Sequence, residues 1–302
     1  MSLGVTKQVH MVHTCLNVNL QERLEHLLKD VFGAETYYKG YDESLDRDAA
    51  LMLVHEMCIE PLSKRFQSQA VGSADWIKTN GQRFHSIAFK INEVPPADAH
   101  MQKAGLRVIY TNPKFKNTFF LTDERETFNA CIEYCRVEMP NDSRIKPGWS
   151  PDKWRDEHPL GIEKLSSVTA VVHDLTAATR TWKALEFRHL GDRVDAVYGA
   201  KVSAFWCGSS VFELLKPTEK DTTLDRTLKN RGQGWYSVNF KVKNAQKAAD
   251  YLRSKGLRLE GDVKRKFWID PRDTFNAVYG FTDKEIPADP RRRLRYEKGM
   301  WV

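Results

Sequence analysis

A glutamate and a glycine occupy the same place in two copies of one short segment. Residues 126–134 read ETFNACIEY and residues 273–281 read DTFNAVYGF, so Thr-Phe-Asn-Ala is identical in both. Glu133 of the first copy aligns without a gap with Gly280 of the second. A carboxylate can bind a metal ion or move a proton, and a glycine side chain can do neither. The two halves of the chain are therefore expected to differ in their chemistry.

The repeat extends well beyond this segment. Two longer pairs match at one common offset: FHSIAFKIN (84–92) with WYSVNFKVK (235–243), and AHMQKAGLRV (99–108) with DYLRSKGLRL (250–259). Two fainter pairs precede them: VHTCLNV (12–18) with SSVTAVV (166–172), and CIEPLSK (58–64) with VFELLKP (211–217). Internal repeats of this kind predict that the chain consists of four related modules, two in each half.

Each module is expected to contain a strand, a helix and three further strands. Residues 12–18 alternate apolar and polar side chains, which is typical of a strand. The apolar residues that follow fall on one face of a helix that Gly33 would end: Leu20, Leu24, Leu27, Leu28 and Val31. Residues 139–161 contain four prolines and show no periodicity, which is typical of a link. We therefore predict an N-terminal domain over residues 1–140, a linker over 141–160 and a C-terminal domain over 161–302.

Composition restricts the class of protein. The chain has 302 residues, 41% of them hydrophobic, and a mean hydropathy of -0.55, which is typical of a globular protein with two domains. The sequence has no run of about 18 apolar residues and no secretory signal, and its five cysteines form no CxxC pair. We expect a cytoplasmic protein, monomeric or homodimeric, with no membrane partner. The net charge of +7 is spread out, which favours a small anionic or carbonyl-bearing substrate over nucleic acid.

The order of these elements resembles the vicinal oxygen chelate superfamily, which includes glyoxalase I, methylmalonyl-CoA epimerase, the fosfomycin-resistance proteins and the extradiol dioxygenases. The resemblance covers residues from about 9 to 282. It rests on the strand openings at His13 and His85 and on the Ile-Glu endings at Glu60 and Glu133. It implies an α+β fold in which four βαβββ modules pair into two half-open mixed β-barrels, with one divalent metal held inside.

The resemblance also implies which residues bind that metal. Carried over position by position, the ligands are His13, Glu60, His85 and Glu133. The same positions in the C-terminal half are Ser167, Glu213, Tyr236 and Gly280, so the metal site there is expected to be degenerate. Imidazole and carboxylate ligands suit Zn, Ni, Co, Mn or Fe(II). Strand alternation makes four more residues candidates for substrate binding: Asn17, Arg83, Phe89 and Asn129. Cys15 would share the face of His13, where it is interpreted as a small buried apolar residue.

The leading interpretation is a metal-dependent lyase or isomerase of the glyoxalase and epimerase type. Its substrate would chelate the metal through oxygen, and Glu133, with Glu60 as its partner, would move a proton next to a carbonyl. One alternative is an Fe(II) extradiol-type ring-cleaving dioxygenase with His13, His85 and Glu133 as its ligands. In those enzymes, however, the metal lies in the C-terminal half. The other alternative is a non-catalytic, ligand-sequestering protein of the resistance type, which would not need the metal.

Overall fold

The computed structural model describes residues 11–43, 46–64, 73–91, 93–109, 116–136, 141–207, 209–294, 296–297 and 300–301. The N-terminal half contains eight strands and three helices among these residues. They are β1 (Met11–Asn17), α1 (Gln21–Phe32), β2 (Glu35–Asp42), β3 (Arg47–Val54), β4 (Met57–Lys64), α2 (Ser73–Asn80), β5 (Arg83–Lys90), α3 (Val94–Lys103), β6 (Val108–Ile109), β7 (Phe119–Thr122) and β8 (Cys131–Cys135).

The C-terminal half repeats this order after a short helix, α4 (Asp152–Asp156). Its elements are β9 (Ile162–Val171), α5 (Leu175–Ala184), β10 (Arg188–Asp195), β11 (Ala200–Cys207), β12 (Ser210–Pro217), α6 (Thr223–Arg231), β13 (Gly234–Val242), α7 (Ala245–Ser254), β14 (Leu259–Asp262), β15 (Lys266–Ile269) and β16 (Val278–Thr282). A small hairpin of β17 (Tyr296–Glu297) and β18 (Met300–Trp301) follows.

The two sheets have the same topology. The strand orders are β2-β3-β4-β1-β5-β8-β7-β6 and β10-β11-β12-β9-β13-β16-β15-β14. In each sheet the first strand of the half pairs in parallel with the fourth and antiparallel with the fifth. The predicted α+β fold of four βαβββ modules is therefore confirmed. Over the described strands, neither sheet closes into a barrel.

Helix α1 ends where the sequence predicted. Gly33 has φ 62°; its N–H donates to the carbonyl of Lys29 at 3.1 Å, and the N–H of Ala34 donates to the carbonyl of Leu28 at 3.0 Å. This left-handed conformation costs glycine little, which is why the helix stops there. Leu24 and Leu28 are fully buried, but Leu20 precedes the helix and is 54% exposed, so its expected place on the buried face is wrong.

The two halves share one hydrophobic core. The Phe32 ring of α1 lies 5.0 Å from the Tyr279 ring of β16, measured between centroids. The linker joins this core, since Trp154 of α4 is buried and its Nε1 donates to the carbonyl of Phe32 at 3.0 Å. Within the described part of the chain, each helix is too short or too polar to cross a membrane.

Candidate metal centre

Four consecutive strands of the N-terminal sheet, in the order β4-β1-β5-β8, bring candidate ligands to one face. Cys15 of β1 pairs with Glu60 of the parallel strand β4. His13 pairs with Ala88 of β5, and Ala88 pairs with Glu133 of β8. Side chains of directly paired residues project from the same face of a sheet. The small Ala88 side chain leaves the space between His13 and Glu133 open.

The polar atoms of this cluster lie close together. His13 Nε2 is 3.2 Å from Glu60 Oε2 and 4.0 Å from Glu133 Oε1. The Cys15 thiol donates to Glu60 Oε2 at 2.9 Å. Ligand atoms of His13, Cys15 and Glu133 all lie within 4.8 Å of one another. Three of the four expected ligands are thus brought together, along with a cysteine that the sequence analysis interpreted as apolar packing.

This set of donors fits a divalent metal. A tetrahedral zinc ion binds imidazole nitrogen, thiolate sulfur and carboxylate oxygen at about 2.0–2.3 Å, so two ligands of one ion lie about 3–4 Å apart. The cluster also places two carboxylates, Glu60 and Glu133, within a buried region. A divalent cation would offset their mutual repulsion. His13, Cys15, Glu60 and Glu133 are therefore the residues that would hold it.

His85 is not a member of the close group of ligand atoms, although the charges of Arg47 and Glu60 act on it. The pairing of β1 with β5 passes from Cys15–Ser86 to Leu16–Phe84, so His85 is the extra residue of a β-bulge. Its Nδ1 is 3.2 Å from Ser86 Oγ, and its ring packs edge-on against Trp76 with the centroids 4.9 Å apart. Burial, and then the charge of Arg47, lower the pKa of His85 to about 4, so the ring is neutral near pH 7.

Arg47 of β3 also belongs to this region, although no sequence motif pointed to it. Two residues further along β3, Ala49 packs against Cys15 and Leu62, so Arg47 lies on the face of the ligand cluster. Its Nε is buried and has no hydrogen-bond partner among the described residues. Burial disfavours the guanidinium charge, but Glu60, Cys15 and Glu133 raise its pKa. The alternation of side chains along β3, counted back from Ala49, is the sequence signal that could have identified Arg47.

Glu133 is the less constrained of the two carboxylates. Burial raises its pKa and outweighs the opposing effect of His13, and Glu60 acts in the same direction as burial. Its side chain is 14% exposed, compared with 9% for Glu60, whose Oε2 accepts the Cys15 thiol. Burial, followed by the charges of Glu60 and Glu133, raises the pKa of that thiol well above its usual range. The thiol is therefore protonated when no metal is bound.

The four residues expected to bind substrate lie in different environments. Asn17 is buried on the ligand face beside Leu62, and its Oδ1 has no hydrogen-bond partner among the described residues. Asn129 is exposed in a left-handed turn with φ 56°. Arg83 donates to the carbonyls of Arg231 at 2.8 Å and Gln233 at 3.0 Å, and so joins the two halves.

Phe89 lies on the opposite face of the sheet, and the expectation that it shares the ligand face is wrong. It is fully buried, with its ring 5.4 Å from that of Phe212 between centroids. The bulge at His85 is the reason. It shifts the alternation of β5 by one residue, so that Ala88 instead of Phe89 faces the ligand cluster.

The C-terminal sheet reproduces these positions with different side chains. Asn239 pairs with Ser167 on one side and with Gly280 on the other, and Tyr236 is the extra residue of the equivalent bulge. Hydrogen bonds join the residues at the positions equivalent to the candidate ligands. Ser167 Oγ donates to Glu213 Oε2 at 2.7 Å, and Asn239 Nδ2 lies 3.2 Å from Ser167 Oγ. Arg193 is ion-paired with Glu213. This half therefore balances its buried glutamate with a guanidinium of its own.

Comparison with known proteins agrees with this fold. Residues 168–269 match the family model described as the Glyoxalase/Bleomycin resistance protein/Dioxygenase superfamily. A mutant of 4-hydroxymandelate synthase from Streptomyces coelicolor is similar over 91% of this chain and 92% of its own, with 12% identity and a TM-score of 0.65. Methylmalonyl-CoA epimerase from Mycobacterium tuberculosis matches 40% of this chain and 87% of its own, with 21% identity and a TM-score of 0.37. Among curated proteins, no sequence matches this chain.

The fold and the matched segment agree with the resemblance found in the sequence. The chain has a two-half glyoxalase-like fold, as its motifs predicted, and part of its C-terminal half matches the superfamily model. The matched segment lies in the C-terminal half, whereas the cluster of metal-ligating residue types lies in the N-terminal half.

Proposed function

We propose that this protein is a divalent-metal-dependent lyase or isomerase of the glyoxalase and epimerase type. Its substrate would be a small anionic molecule that chelates the metal through oxygen, and the reaction would move a proton next to a carbonyl. The observation that carries the proposal is the cluster of His13, Cys15 and Glu133 ligand atoms within 4.8 Å of one another. A bound divalent ion supplies Lewis-acid stabilisation of negative charge on a substrate oxygen.

Glu133 is the residue that moves the proton in this proposal. A general base needs a carboxylate that can reach the substrate and a pKa not far below the working pH. Glu133 has the more exposed side chain of the two glutamates, and its burial raises its pKa. Glu60 is held by the Cys15 thiol and lies 3.2 Å from His13, so its role is to keep the ligand cluster in place.

Arg47 supports an anionic substrate. A divalent ion would balance the charges of Glu60 and Glu133, and Asp42 would then be the remaining carboxylate that raises the pKa of the half-buried Arg47. A charge removed from water is costly unless it is well paired. An anionic substrate would supply further negative charge, and its oxygen would accept from a guanidinium whose Nε has no partner among the described residues.

The dioxygenase alternative requires His85 as a second imidazole ligand. The described geometry favours the first function, because Cys15 instead of His85 completes the close group, and thiolate suits zinc better than a facial iron triad. Oxygen consumption with a catechol by the iron-loaded protein would support the dioxygenase. Full binding of a ligand by a metal-free protein, with no turnover, would support the sequestering alternative.

Metal content tests the site itself. The purified chain should hold about one divalent ion, and His13→Ala should remove it, because the ion loses its imidazole ligand from the close group. Tyr236→Phe, the matched control in the other half, should retain the metal. Elemental analysis of both variants measures this. Metal retained by His13→Ala, or lost by Tyr236→Phe, would place the site elsewhere.

Glu133→Gln tests the chemistry. The amide oxygen can still coordinate, so we expect most of the metal to remain. Proton exchange should fall by about 10²–10⁴-fold, the usual contribution of a general base. The assay follows deuterium incorporation from solvent into a panel of small 2-oxo acids by proton NMR. Exchange at the wild-type rate in a metal-containing variant would eliminate Glu133 as the base.

A further inference from the structure

The C-terminal half contains a cavity of about 340 Å³ that the reaction proposed above does not use. Cavities that take small molecules have volumes of about 300–1,000 Å³. Its wall is formed by the end of β10, the start of β15 and the segment after β16. The polar part of the wall includes Arg193, Asp195 and Lys266, and the apolar part includes Val197, Ile286 and Pro287.

Lys266 is the central charged group of this cavity. The residue is buried, with 8% of its surface exposed. Asp195 Oδ2 lies 3.7 Å from its Nζ, which is longer than a hydrogen bond, and the Tyr198 ring centroid lies 4.3 Å away. An ammonium group has three N–H donors, and a cation over an aromatic ring uses none of them in a conventional hydrogen bond. Lys266 therefore has donors to offer a ligand in the cavity.

The acidic residues of the wall are already occupied. Asp195 Oδ1 accepts the backbone N–H groups of Val197 and Tyr198, at 3.0 and 3.2 Å. Glu285 Oε2 accepts Lys164 Nζ at 2.8 Å, which neutralises that side of the cavity. Arg265 and Lys284 lie at the exposed rim, where Lys284 is ion-paired with Asp283 at 2.9 Å and Arg265 adds positive charge. The wall therefore has an excess of positive charge, deepest at Lys266.

We propose that this cavity is a second, metal-independent binding site for a small monocarboxylate with an apolar body. The carboxylate would accept from Lys266, and the apolar body would pack against Val197, Ile286 and Pro287. A monoanion fits better than a phosphate dianion, because the carboxylate of Asp195 lies beside the same ammonium group. The change of ligand residues in this half is consistent with such a site, since Arg193 pairs with Glu213 and Lys266 supplies positive charge to the cavity without an ion. The proposal does not depend on the reaction assigned to the N-terminal half.

Binding of para-fluorobenzoate to the full chain, followed by fluorine NMR, tests this site. We expect binding both with and without added zinc, and weaker binding of uncharged para-fluorobenzamide. Lys266→Met should weaken para-fluorobenzoate binding by about ten-fold or more, because a charge-assisted hydrogen bond is lost. Lys264→Met removes a charge of the same sign from an exposed position close to β15 and should leave the affinity for para-fluorobenzoate unchanged. Circular dichroism and metal content of each variant show whether the chain has folded.

A further variant covers the case in which Lys266→Met fails to fold. Ala196→Trp adds bulk at the exposed edge of the cavity and leaves every charged residue in place, so it should also block binding. Equal affinity in the Lys264→Met and Lys266→Met proteins would overturn the proposal. Binding that requires zinc would assign the ligand to the N-terminal half and would also overturn it. Displacement of para-fluorobenzoate by inorganic phosphate at lower concentration than by benzoate would overturn the monocarboxylate assignment.

Discussion

The side chain of Asn239 occupies the space that a side chain at position 280 would need. A Cβ added at Gly280 would overlap Asn239 Oδ1, the atom that accepts the Tyr198 hydroxyl at 3.0 Å. The glycine does not have a positive φ, so space and not backbone strain is what forbids alanine. We therefore predict that Gly280→Ala displaces the Asn239 side chain and destabilises the fold.

The structure gives the magnitude of this effect. Displacement of Asn239 leaves the buried Tyr198 hydroxyl without its acceptor, which costs about 1–3 kcal/mol. Overpacking of a filled interior costs about 1–3 kcal/mol more. The free energy of unfolding should therefore fall by about 2–5 kcal/mol in Gly280→Ala. Urea denaturation followed by tryptophan fluorescence measures this change, provided that the slope of the transition is unaltered.

A double-mutant cycle tests the stated cause. In an Asn239→Ala background the obstructing atom is absent, as it is in the N-terminal half, where Ala88 pairs with Glu133. Gly280→Ala should then cost less than about 1 kcal/mol, which gives a coupling energy of at least about 1 kcal/mol between the two positions. If Gly280→Ala costs the same in both backgrounds, contact with Asn239 is not the reason for the glycine.

Two arginines give contrasting expectations. Arg47→Met should retain the metal but weaken binding of oxalate to the zinc-loaded protein by about ten-fold or more, because the guanidinium no longer pairs with the anion. An unchanged oxalate affinity, measured by calorimetry, would refute a role for Arg47 in substrate binding. Arg83→Met should leave metal content unchanged but lower the free energy of unfolding by about 2–4 kcal/mol, because the carbonyls of Arg231 and Gln233 lose their charged donors. Wild-type stability in urea would show that Arg83 does not hold the halves together.

The sequence by itself determined the repeated architecture. Local patterns of neighbouring residues were sufficient for the alternating strands and for the end of α1 at Gly33. The matched segments of the two halves showed that the pattern repeats. The sequence also predicted correctly that Glu133 and Gly280, and likewise His85 and Tyr236, occupy equivalent positions in the two halves. A repeat preserves the order of positions even where the side chains have changed. The sheet register reproduces both equivalences.

Only the tertiary structure decided which side chains meet. One extra residue in β5 turns Phe89 away from the ligand cluster, and no local sequence pattern indicates a bulge. Cys15 and Arg47 join the cluster because β3, β4 and β1 are consecutive in the sheet, although β1 is separated from β3 and β4 along the chain by α1 and β2. The surroundings of a buried glutamate also depend on residues from other strands: Glu60 lies beside His13 in the ligand cluster, whereas Glu213 pairs with Arg193.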